Sequence, residues 1–153
     1  MGTAGARNEN VHREKQNEAT RAATLYMKRG YVGDREGAGS FLAAEIVARD
    51  HRPLGGEAAV GRDAFLEAGM AHQDVGFAKW SGTPLEIRGE SLALVRLEQA
   101  TESDFTLPYL VVLRSDGAGR LAEIAIYDEV DLARAVEDLD RLYIAHEASP
   151  SAD

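Results

Sequence analysis

The sequence predicts an α+β domain in which a curved antiparallel sheet packs on helices that precede it, with one more helix at the end. Three observations carry this. Apolar residues follow a helical spacing in the first half, and from Lys79 onward the period changes from 3.6 to 2. The four alternating segments LEIRGE, SLALVRLEQ, TLPYLVVLRS and GRLAEIAIYD are joined by connections too short for anything but antiparallel neighbours. A final amphipathic stretch then returns to helical spacing. Helices gathered early and strands gathered late form the α+β pattern.

Residues 1–16 are polar and without periodicity, as are residues 147–153, so both ends read as tails around a domain spanning 17–146. Asn17 is a natural helix N-cap. Ala22, Leu25, Tyr26 and Arg29 then share one face, and the helix should stop near Gly30 or Gly33. Asp34 caps a weaker helix expected to hold Phe41 and Leu42, although Gly37 and Gly39 lower its propensity. EIVARDHR reads as a strand ended by Pro53, Gly55 and Gly56, and a third helix from about Arg62 to His72 should bury Phe65, Ala68 and Leu66.

In the meander, Gly89, Glu102-Ser103-Asp104 and Asp116-Gly117 supply turn chemistry. Pro108 cannot donate to a ladder, so a bulge or an edge is expected there. Bulges curve a sheet, and a curved sheet has a concave face that can hold a ligand. Asp131 is expected to cap the last helix, whose stripe is Leu132, Ala135, Val136, Leu139 and Tyr143. The strands are apolar on both faces. One side needs a pocket and helices and the other needs further cover, for which a partner subunit is one source.

The chain has 153 residues, one domain by size, with 44% hydrophobic and 28% charged residues. It has no cysteine, which excludes disulfides, a thiolate nucleophile and a Cys-based zinc site. A net charge of −9 repels nucleic acid and anionic lipid. No signal peptide or membrane-spanning run is visible, so a cytoplasmic protein is expected. His12, His51, His72 and His146 lack ligand spacing, and there is no phosphate loop or GxSxG elbow. No metal or cofactor is expected.

The element order, together with FLAAEIVARDHRPLG, GRDAFLEAG and LPYLVVLRSDGAGRLAEIAIYDEVD, resembles the SnoaL-like and nuclear-transport-factor-2-like group that includes ketosteroid isomerase. The resemblance spans about residues 18–130. It implies a cone-shaped α+β barrel, a small hydrophobic ligand and a homodimer. Tyr26, Gly33-Asp34 and Asp50 fall on the isomerase's pattern without a gap, which implies Tyr26 as oxyanion-side donor and Asp50 as general base. Two positions depart from the group. A second oxyanion donor meets Val111, and the aspartate that SnoaL-type cyclases carry on their last strand meets the region of Ile126.

On alternation alone, Asp50 shares a face with Ile46 and Ala48 and is placed inside, with His51 opposite. Inside an apolar wall its pKa should rise towards a useful range. The structural alternative is that it accepts from Arg52 or backbone. His51 is a pocket residue or a solvated one. Tyr26 offers its hydroxyl to a ligand carbonyl or to backbone. Tyr109 and Tyr127 line the pocket or pack. Trp80 forms the mouth or covers the third helix. Asp128 is a turn cap or a second pocket acid, and Arg96 needs a carboxylate if it points inward. Two functions follow: a cofactor-independent isomerase or cyclase acting on a hydrophobic cyclic or polyketide-like molecule, or a non-catalytic binding or dimerisation module on the same scaffold.

Overall fold

The computed structural model of the chain describes residues 15–74 and 76–148, so the expected tails fall largely outside it. Helix α1 spans Glu18–Tyr31. Asn17 starts it with a capping box: its side chain accepts from the Thr20 amide at 3.1 Å, and the Thr20 hydroxyl accepts from the Asn17 amide at 2.9 Å. The Asn17 amide group also donates to Gly89 and Leu92 carbonyls, at 3.1 and 2.9 Å. One side chain thus both caps α1 and ties it to the sheet. Asn17→Ala removes the cap and leaves those carbonyls unpaired beside a residue only 2% exposed. A stability loss of about 2 kcal/mol is expected from urea denaturation, and Asn17→Asp should not restore it, because its second carboxylate oxygen would face the two carbonyls that the amide nitrogen paired.

Helix α2 is shorter than expected, Arg35–Gly39, and does not hold Phe41 or Leu42. Asp34 caps it through the Gly37 amide at 2.9 Å. Its two glycines stabilise it poorly, and Leu42 instead begins strand β1, Leu42–Asp50, paired with Leu121. The two-residue strand β2, Ala59–Val60, which the sequence reading lacks, pairs back on Val47 and Ala48. Helix α3, Arg62–Asp74, follows. Its buried residue is Leu66; Phe65 is half-buried and Ala68 is exposed.

The meander is β3 (Phe77–Arg88), β4 (Leu92–Thr101), β5 (Thr106–Ser115) and β6 (Leu121–Tyr127). The sheet order is β2-β1-β6-β5-β4-β3. All pairs are antiparallel except β1 with β6. Register breaks fall in β3 around Lys79 and between Pro84 and Glu86, in β1 between Leu42 and Val47, and in β5 between Arg114 and Ser115 where it pairs with β6. None occurs at Pro108 in the β4–β5 ladder. Pairing of β5 with β6 starts only at Leu110, so Pro108 has a free margin on that side and the edge alternative applies.

Alternation splits the sheet into two cores. Ala93, Val95, Tyr109, Val111, Leu113 and Ile124 face α1 and α3, with Leu42 and Ile46 of β1. Leu92, Leu94, Leu110, Val112, Ala125 and Tyr127 face the other way. That second face is covered by the chain's own helix α4, Leu132–Tyr143, through Ala135, Leu139 and Leu142. The apolar outer face therefore finds its cover inside the subunit. Leu142 takes the place expected for Leu132, which is 46% exposed. Asp131 precedes α4 without a side-chain capping bond. A π-helical turn, Ile144–Ala148, follows, and Glu147 accepts from the Ser91 hydroxyl at 2.8 Å, pinning this end to the β3–β4 turn.

Candidate functional site

Between α1, α3 and the concave face of β3–β6 lies a cavity of about 550 Å³. Such a volume is ordinary for a small-molecule site. Its wall is mainly apolar, with Val95, Leu97, Val111, Leu113 and Ile126 from the sheet. Among the aromatic and polar groups that line it are Tyr26 and Tyr31 from α1, Trp80 from β3, Gln99 from β4 and Tyr109 from β5, with the hydroxyls of Thr24 and Ser81. Arg35, exposed, is the charged residue among those lining it.

Tyr26 projects from the middle of α1, its ring 5.4 Å from that of Phe65 on α3. Its hydroxyl lies against Gly69: a β-carbon there would stand 2.9 Å from the oxygen. Among the described residues the hydroxyl has no hydrogen-bond partner. Burial, and secondarily Tyr31, push its pKa up to about 12, so it stays a neutral donor. Tyr109 is buried, and burial raises its pKa as well. Its hydroxyl donates to the Gln99 side-chain oxygen at 2.9 Å, and the Gln99 amide nitrogen donates to the Tyr31 oxygen. The Trp80 ring lies 6.4 Å from that of Tyr31.

Asp50 sits at the end of β1 and is not among the residues lining the cavity. Its carboxylate accepts from the Arg52 guanidinium at 2.9 and 2.6 Å and from the Arg52 backbone amide at 3.1 Å. Burial alone would raise its pKa, but the Arg52 bonds and charge outweigh it and hold the carboxyl below its ordinary range. The expected upward shift is thus reversed. The structural cause is the loop after β1, which folds back so that Arg52 and Asp50 form a bidentate pair. Gly55 packs against it so closely that a β-carbon would meet the Asp50 carboxyl carbon at 2.7 Å. Arg52 in turn lies over the Tyr109 ring, 5.0 Å from its centre.

The remaining candidates lie elsewhere. His51 is on the outer face, stacked on Tyr127 at 4.8 Å with Arg134 at 3.2 Å from Nδ1. Tyr127 belongs to the core under α4 and donates to Asp138. Arg96 also faces outward and pairs with Glu129 at 2.7 Å, so it has its carboxylate partner. Asp128 accepts, through its carbonyl, from the Asp131 amide at 2.9 Å, in keeping with the turn reading. The cavity therefore gathers Tyr26, Trp80 and Tyr109 of the expected set, and adds Tyr31 and Gln99. Gln99 was visible in principle: it continues the inward alternation of Ala93, Val95 and Leu97 and is the polar member of that series.

No group of metal-ligating side chains comes together among the described residues, and His12 lies outside them. No described helix is long and apolar enough to cross a membrane.

No protein-family model and no curated protein matches the sequence. Solved structures do. A computationally designed 17-OHP binder is 18% identical with a TM-score of 0.59, over 76% of this chain and 97% of that chain. A Mycobacterium tuberculosis protein in complex with estradiol-17beta-hemisuccinate is 18% identical with a TM-score of 0.55, over the same shares of 76% and 97%. A delta 5-3-ketosteroid isomerase from Mycobacterium sp. is 20% identical with a TM-score of 0.53, over 76% of this chain and 96% of that chain. At such identities the likeness is one of fold. The chain has the nuclear-transport-factor-2-like architecture shared by enzymes, designed binders and proteins of unknown function.

Proposed function

We propose that the protein binds a hydrophobic, ring-containing small molecule in its cone, with the Tyr26 hydroxyl donating to an oxygen on that molecule. The observation that carries this is a buried hydroxyl without a partner among the described residues, in a mainly apolar cavity. Buried polar groups are ordinarily paired, and an unpaired one facing open space is the place for a ligand atom. The estradiol derivative and the 17-OHP of the structural neighbours are molecules of the size and character such a cavity suits.

A second reading keeps the acid–base enzyme of the isomerase or cyclase type. It is favoured by the register of Asp50, which shares the inward side of β1 with Ile46, and by its carboxylate being ionised at neutral pH. That carboxylate is engaged by Arg52, so binding is the reading the geometry supports better.

Native mass spectrometry of the purified protein, with extraction of what it retains, tests the binding reading. One apolar molecule per subunit is expected, and a protein that takes up neither endogenous molecules nor added steroids defeats it. Tyr26→Phe is expected to weaken binding of that molecule about tenfold, through loss of one buried hydrogen bond.

A further inference from the structure

The cavity's second hydroxyl has a direction built into it. Gln99 is 5% exposed and carries both ends of its amide in hydrogen bonds. Tyr109 gives its only hydrogen to the Gln99 oxygen, so the amide turns its nitrogen to Tyr31. The Tyr31 oxygen accepts that bond, and its own hydrogen has no acceptor among the described residues. Tyr31 lines the cavity, and burial raises its pKa above the ordinary tyrosine value, so the hydrogen stays on. Behind Tyr109, the guanidinium of Arg52 lies over the ring and is itself held by Asp50. A cation over the ring favours the Tyr109 hydroxyl as a hydrogen donor, which is the direction found in the chain Tyr109–Gln99–Tyr31.

We propose that Gln99 sets Tyr31 as a hydrogen-bond donor into the cavity, and that this pair determines specificity by selecting a ligand with a ketone at that position over the same skeleton bearing a hydroxyl. The proposal rests on the binding reading and adds to it a second contact and a rule of polarity. A ketone oxygen accepts from Tyr31 and has no hydrogen of its own to satisfy. A hydroxyl can also accept, but its hydrogen must then find an acceptor of its own in a mainly apolar wall, which costs affinity. Specificity of this kind comes from the group left unpaired, not from shape.

Fluorenone and fluorenol share one flat tricyclic skeleton and differ only in this oxygen. Trp80 is the sole tryptophan of the sequence and lines the cavity, so quenching of its emission reports fluorenone binding, and fluorenol is measured by competition. The wild-type protein is expected to bind fluorenone about tenfold more tightly than fluorenol. Tyr31→Phe should lower that preference about threefold or more by removing the donor while leaving the ring. Gln99→Glu should reverse it. A carboxylate accepts from both tyrosines, so the Tyr31 hydrogen turns away from the cavity and only its lone pairs remain for a ligand. If Gln99→Glu does not fold, as judged by circular dichroism, Tyr31→Phe alone decides. A preference unchanged in Tyr31→Phe, or no preference in the wild type, overturns the polarity rule and leaves the pocket standing. Absence of fluorenone quenching in the wild type overturns both.

Discussion

Asp50→Ala is expected to lower folding stability by about 2–3 kcal/mol, one of the two largest effects we anticipate. The substitution removes three hydrogen bonds and strands the Arg52 guanidinium over Tyr109. Removing one member of a buried ion pair costs more than the pair contributes, because the other charge stays desolvated. The figure is set below that for full burial because the two side chains are 18% and 22% exposed. Urea denaturation at neutral pH measures it. The same contacts fix a pH dependence. The folded-state pKa of Asp50 lies below its unfolded value, so the stabilisation is present above the unfolded pKa and is lost as pH falls through the folded one. The difference between wild type and Asp50→Ala should therefore shrink on the acid side of the ordinary carboxylate range. Asp50→Asn separates the two functional readings. As a pin for Arg52, Asp50 gives a destabilised protein that still binds. As a proton acceptor, it gives one that binds and no longer turns over.

Leu139→Ala is expected to cost about 3 kcal/mol, the second large effect. Leu139 is fully buried between α4 and the outer face of the sheet, beside Leu92, Leu94 and Val112. The loss combines transfer of the removed methyl groups with the cavity they leave. A second measurement follows from where it sits. Loosening α4 uncovers a continuous apolar sheet surface, so sedimentation of the variant should show self-association that grows with concentration, beyond whatever the wild type shows. A variant destabilised to the same degree in α1 should not do so.

Elements with a local signature were legible. Asn17, the stripe of α4 and the alternation of β4–β6 each announce themselves within a few residues, because capping and burial act over one turn or one pleat. The parallel pairing of β1 with β6 was not, since its partners are far apart in sequence and leave no short-range mark. β2 is too short to show a period. At the site, alternation placed Asp50 on the inward side of β1, but it could not show the loop turning Arg52 back upon it. The upward pKa expectation counted burial alone, and the alternative named beside it, acceptance from Arg52, is the arrangement found. Tyr31 was missed because it lies at the helix end, outside the expected stripe of Ala22, Leu25, Tyr26 and Arg29.

The pairing of β1 with β6 also orders events in time. Leu42 meets Leu121 and Asp50 meets Ile126, so the first of the described strands pairs with the last. The meander can assemble hairpin by hairpin as it is made, whereas β1 waits with one ladder unfilled until β6 exists. Until β6 is made, the edge of β1 that receives it is open, and β2 occupies only Val47 and Ala48 on the opposite edge. Of the sheet's ladders, β1 with β6 is the last whose two strands are both available, so slowing of translation before residue 127 prolongs the interval in which that edge is open to another chain.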